Sequence, residues 1–134
     1  MGNLPLLPAL VSAVIAFGAN FVWFTIVFRA PYLAGLGKSQ ADLDRGPSIV
    51  VASALQLAGF FIMALVLGWL IQRTGHGSLA GGLKVALIAW LGFVAAIMVP
   101  MHAFQAYPAT FTAINAGGYL VALLIAGAVI GAWR

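Results

Sequence analysis

The side chains able to do chemistry in this 134-residue chain are few, and they gather in two places. The stretch VPMHAFQAYPATFTAINAGG, residues 99–118, carries no charge, yet it holds His102, Gln105, Tyr107, Thr112 and Asn115. Two more amides, Asn20 and Gln56, each stand inside an otherwise apolar run. A histidine near a tyrosine and a glutamine can relay a proton, or with further ligands hold a metal. An amide inside an apolar run must donate and accept hydrogen bonds, to a neighbouring helix or to a ligand.

What the chain lacks narrows the choice. It has no cysteine, which excludes disulfides, thiolate metal sites and thiol nucleophiles. It has no glutamate; Asp42 and Asp44 share one loop and supply the only carboxylate side chains. Paired-carboxylate hydrolysis and carboxylate-rich metal clusters are therefore not expected. The second histidine, His76, falls in a loop predicted on the opposite membrane face from His102, so no two-histidine metal site follows. We expect no catalytic residue, no metal and no cofactor. If one face carries a polar cluster, its members are Tyr32, His102 and Gln105, near the Asp42/Asp44 loop.

The elements that must position these groups follow from composition. Of the residues, 64% are hydrophobic and only 6% charged, where a soluble domain has about 25% charged. So little polar surface implies that lipid is the solvent. Four runs meet the requirement of roughly 20 apolar residues for a crossing helix. They cover about 4–28, 49–71, 83–104 and 111–133, in a single domain. The ten-residue alternation of a membrane β-barrel is absent. The first run lacks a basic n-region and is too long for a signal peptide's apolar core. The fold class predicted is thus all-α, a polytopic up-down bundle of four transmembrane helices.

Between spans one and two, Pro31, Gly35 and Gly37 are expected to break the helix. Ser39 and Asp42 form a capping-box pattern that predicts a short interfacial helix near 39–45, closed by Gly46-Pro47. Tyr107-Pro108 marks a tight reversal between spans three and four. Pro100 removes the hydrogen bond to the Ala96 carbonyl and should kink the last turn of span three. Trp69 and Trp133 at one interface, and Tyr32 and Tyr107 at the other, read as aromatic belts.

The net charge of +4 rests on six scattered basic residues, which is a membrane-anchoring pattern with no nucleic-acid stripe. Arg73, Lys84 and Arg134 lie on the side of the termini, and Arg29, Lys38 and Arg45 on the other. The tie leaves orientation open; both termini are expected in the cytoplasm, with the chain in the inner membrane. Spans two and four end alike, in ALVLGWLIQR (64–73) and GAVIGAWR (127–134), which suggests a repeat of one helical hairpin.

Helices in lipid associate through small residues and interhelical hydrogen bonds. Span one offers Ala9, Ala13, Ala16 and Asn20; span two offers Ser53, Gln56, Phe60 and Met63. Span three offers Ala86, Ala89 and Phe93. Span four offers Asn115, Gly118, Ala122 and Ala126, and separately Gly127 and Gly131 at GxxxG spacing. Asn20, Gln56 and Asn115 should turn inward, because an unpaired amide in hydrocarbon costs several kcal/mol. Beyond the bilayer itself, so thin a bundle is expected to self-associate or to join a larger membrane complex.

Two segments resemble a bacterial family of small four-helix membrane proteins, catalogued as domain of unknown function seventeen sixty-one. They are NLPLLPALVSAVIAFGANFVWFTIVFRAPYLAGLGKS and GLKVALIAWLGFVAAIMVPMHAFQAYPATFTAINAGGYLVALLIAGAVIGAW. Asn3, Gly18, Trp23, the WLGFVAA run (90–96), Pro108, Asn115, Tyr119 and Trp133 carry the likeness. Phe24 departs from it, standing where a tyrosine is expected. The resemblance implies the four-span topology and no activity. The function expected is that of a non-enzymatic accessory subunit or binder of lipid-like molecules; the alternative is a small homo-oligomeric transporter or channel. Against proton-coupled export stands the lack of an intramembrane carboxylate.

Overall fold

The computed structural model describes residues 4–133; Asn3, which enters the likeness, and Arg134, which enters the charge count, lie outside them. The described residues form helices without a strand. Four are long and apolar enough to cross a membrane: Leu6–Val27, Ile49–Arg73, Leu79–Phe104 and Ala109–Ala132. Span one is α1 (Leu6–Val22) continued by a π-turn, Trp23–Val27. The loop after it carries α2 (Arg29–Leu36) and α3 (Gln40–Asp44). Span two is α4 (Ile49–Arg73). Span three is α5 (Leu79–Trp90), a second π-turn, Leu91–Ala95, and α6 (Ala96–Phe104). Span four is α7 (Ala109–Ala132).

Helix starts follow local chemistry. The hydroxyls of Ser48 and Ser78 accept from the Val51 and Gly81 amides, capping α4 and α5. Ser78 thereby begins span three at Leu79, earlier than the expected Leu83. Around α3 the capping box forms: Ser39 Oγ accepts from Asp42 N–H, and Asp42 accepts from Ser39 N–H. That donation from the Ser39 backbone, then its side chain, holds the Asp42 carboxyl below the usual aspartate range.

One expectation fails locally. Pro31 does not break the helix after span one. It sits in the first turn of α2, where a missing N–H is harmless, and the chain leaves α2 only at Gly37, at φ 68°. Pro100 does not end span three. The helix runs through it, and the irregularity lies earlier, where the Ala96 N–H reaches back to the Leu91 carbonyl. A π-turn adds one residue, rotating the remainder of the helix back by about 100°. Phe93, expected in the packing stripe of span three, falls in this turn and is 72% exposed.

Span four is the axis of the bundle. Half of its apolar window is buried, against 22% for span one and 11% for spans two and three. Alanine lets the others close on it: Ala9, Ala13 and Ala16 of α1, Ala64 of α4, Ala86 of α5, and Ala122 and Ala126 of α7 are fully buried. The glycine pair of span four is used here, inside one chain. A Cβ at Gly127 would run into the Gly82 carbonyl oxygen, and one at Gly131 into that of Ser78. The close helix contact that the GxxxG spacing predicts is therefore made with α5 of the same chain.

Spans two and three both end in the same hydrogen-bonded wrap. His76 N–H bonds to the Ile71 carbonyl and Gly75 N–H to Gln72; Tyr107 N–H bonds to His102 and Ala106 N–H to Ala103. The left-handed residue is Gly75 (φ 71°) in the first case, but Ala106 (φ 59°) in the second.

Gly127→Val should lower the thermal unfolding midpoint in detergent, losing about 1–3 kcal/mol through overpacking, while Gly92→Ala, which meets nothing within 4 Å, leaves it unchanged or higher. Ala106→Gly should raise the midpoint, since a left-handed non-glycine residue costs about 1–2 kcal/mol; a fall would contradict the geometry of that turn.

Candidate functional site

Three side-chain donors from outside span four reach its backbone. Asn20 Nδ2 donates to the Gly118 carbonyl (3.0 Å), Trp23 Nε1 to Ile114 (2.9 Å) and Trp90 Nε1 to Ala116 (2.8 Å). Ile114 and Gly118, four residues apart, share one side of α7 and take the donors of span one, while Ala116 lies on another side and takes that of span three, so the two spans clamp the helix between them. Each tryptophan stands at the mouth of a π-turn. Gly117 and Gly118 make room for the rings: a Cβ on Gly117 would come within 2.9 Å of Trp23, and one on Gly118 within 2.8 Å of Phe24. The sequence likeness included Trp23 and, in the WLGFVAA run, Trp90, but no hydrogen bond for either indole. The only forward signal was Trp lying deep in a run, away from the interface where it ordinarily sits.

Beside this clamp, between spans one, two and four, lies a cavity of about 310 Å³. It holds all three amides singled out from the sequence, Asn20, Gln56 and Asn115, together with Ser53, Tyr32 and Tyr119. Phe17, Phe21 and Phe24 form an aromatic wall. Asn20 is 5% exposed, and its Oδ1 is buried without a hydrogen-bond partner. Asn115 satisfies part of itself within α7, donating from Nδ2 to the Phe111 carbonyl at 2.8 Å. Gln56, Ser53 and the hydroxyls of Tyr32 and Tyr119 make no hydrogen bond among the described residues. The lining has no charged side chain.

The cavity lies where the first half of span two buries no residue. Every buried residue of α4 lies in its second half: Phe60, Ala64, Leu67, Gly68 and Ile71. The half from Ile49 to Gly59 has none. Asn115, the seventh residue of α7, stands roughly 9 Å along the axis from Ala109 at 1.5 Å per residue. The cavity thus sits near the membrane face that carries α2 and α3.

The second cluster forms differently from its expectation. His102 is buried, with Nδ1 3.0 Å from the Thr112 hydroxyl. Its ring stacks on Phe111 (5.5 Å), as do Tyr107 (4.6 Å) and Tyr32 (5.4 Å). Tyr32 then meets Phe24 edge-on (5.0 Å), and Phe24 meets Tyr119 (6.2 Å). His102 and Tyr32 therefore share Phe111 as a common neighbour. Gln105 is exposed and joins neither. Tyr32 and Tyr107, read as belt anchors, are stacking partners; burial first, then the nearby Tyr119 and Tyr107, push the Tyr32 hydroxyl pKa up. Trp69 keeps its interfacial character, with the Arg73 guanidinium 5.7 Å from its ring. Among the described residues, no group of three or more His, Cys, Asp or Glu side chains could hold a metal.

Fold and cavity together define a multi-pass, four-helix membrane protein with a polar recess at one end. The family model for proteins of unknown function DUF1761 matches residues 7–131, and the chain belongs to that family. No curated protein and no solved structure matches it.

Trp90→Phe should cost about 0.6–1.7 kcal/mol, the range for one interhelical hydrogen bond in a membrane protein, measured by unfolding in mixed micelles. Tyr is no substitute, because its hydroxyl projects elsewhere. A cost near zero would mean that the indole bond does not hold span three to span four.

Proposed function

We propose that this protein is a non-catalytic binder of a lipid-like molecule, which enters the polar cavity sideways from the membrane. The observation carrying this reading is the convergence of uncommitted polar groups, Gln56, Ser53, Tyr32, Tyr119 and Asn20 Oδ1, on one cavity toward the α2–α3 end of the bundle. Polar groups in a membrane interior are costly unless paired and mark sites of function. Their partners here would come from a bound molecule. Its size is in the range of small-ligand sites, about 300–1,000 Å³.

Passage of a solute, the alternative, would require polar groups to continue across the bundle. Below Gln56 the facing stripe of span two is Phe60, Met63 and Leu67, and Phe60 and Leu67 are buried, which favours binding over transport. Service as an accessory subunit is compatible with binding, since the first half of span two, which buries no residue, is free to meet a partner or a second copy.

Native mass spectrometry from nanodiscs tests the reading. The wild-type protein should retain a lipid-like adduct, and Gln56→Leu should lose most of it while keeping its melting temperature within a few degrees. Equal retention by both would overturn it.

A further inference from the structure

A second hollow adjoins the first. Between spans two and three, over α7, runs a groove of about 580 Å³. All three described methionines, Met63, Met98 and Met101, line it, with Phe93, Val66 and Leu123. Tyr119 lines both the groove and the polar cavity. The two hollows also share a helix face: on α4, Ser53, Gln56, Met63, Leu67 and Leu70 recur at three-, four- and seven-residue spacing, and on α7 so do Asn115, Tyr119 and Leu123. The stripe changes from polar to apolar near Tyr119, going away from the α2–α3 face. A polar pocket toward the α2–α3 end opening on an apolar groove matches an amphiphile lying along the helices. Methionine suits the groove because its flexible thioether adapts to an irregular chain.

The chemistry of the head follows from what is unpaired. Asn20 uses its NH₂ on Gly118, and its buried Oδ1 is left wanting a donor. An ester, ether or ketone head cannot supply one; a hydroxyl can. No Lys, Arg or His lines the cavity, so a phosphate would enter uncompensated, at the high cost of burying an unpaired ion. Resting on the binding reading above, we propose that cavity and groove are one site, which takes an uncharged, hydroxyl-headed single-chain amphiphile. The head donates toward Asn20 and meets Gln56 and Ser53; the chain passes Tyr119 into the methionine groove.

The probes are hexadecanol, its methyl ether, octanol and lysophosphatidic acid, each titrated onto the full chain in nanodiscs and read by native mass spectrometry. Hexadecanol should bind about tenfold more tightly than the ether, because leaving a buried acceptor unpaired costs on that scale. It should also outcompete lysophosphatidic acid. Val66→Trp, at a half-exposed groove position, should weaken hexadecanol several-fold and spare octanol. Equal binding of alcohol and ether would overturn the donor assignment while leaving a lipid site standing. Preference for lysophosphatidic acid would overturn the neutral head, and would point to Lys84 and His76 at the far end of span three. Insensitivity of hexadecanol to Val66→Trp would overturn the groove. Failure of every probe to bind, with no retained adduct in the untreated protein, would remove the binding reading itself.

Discussion

The bundle depends on a single requirement of hydrocarbon: a polar group that crosses into it must bring or find its partner. Span four meets that requirement for its neighbours. Its own backbone is already bonded as a helix, but each carbonyl oxygen has a second lone pair. Asn20, Trp23 and Trp90 use those spare acceptors at Gly118, Ile114 and Ala116. Such bonds fix the rotation of span four against spans one and three, which apolar contact alone would leave loosely specified. Gly117 and Gly118 are part of the same device, since side chains there would displace the indole and the neighbouring phenyl ring.

The two ends of the molecule are built on different principles. Toward the termini, helices meet backbone to backbone. Gly82 and Gly127 each set the bare side of their Cα against the other's carbonyl oxygen, and alanines fill the rest. Dispersion at close range holds this end. Toward α2 and α3, large rings replace alanine. Phe111 gathers His102, Tyr107 and Tyr32, and Phe24 and Tyr119 carry the contact inward. Rings hold helices further apart than alanines do, and the first half of span two is left without a buried residue. The cavity is the space that results.

The two π-turns link these halves. Each comes after a stretch packed through small residues and before one packed through rings or opening to a hollow. By inserting a residue, each resets which face looks inward. That is how Ala86 and His102 both come to be buried on span three, although a straight helix would put them on different sides.

Much of this was legible in the residues. Scarce charge and four apolar runs dictate lipid and four crossings. The alanine stripe of span one, the Ser39–Asp42 cap and the inward turn of Asn20 follow from periodicity, capping chemistry and the cost of a bare amide, all of which are local. Other features required the tertiary structure. The GxxxG of span four predicts close approach, but only packing decided that its partner is Gly82 of the same chain. Gln105 and Tyr32 look equivalent beside His102, and only the turn at Ala106 decided that one faces outward and the other joins the stack. The π-turns have no signature in hydrophobic spacing, since they answer to the carbonyls of a helix far along the sequence. Local interactions write themselves into neighbouring residues; which pairs of faces meet is a property of four helices sharing one volume.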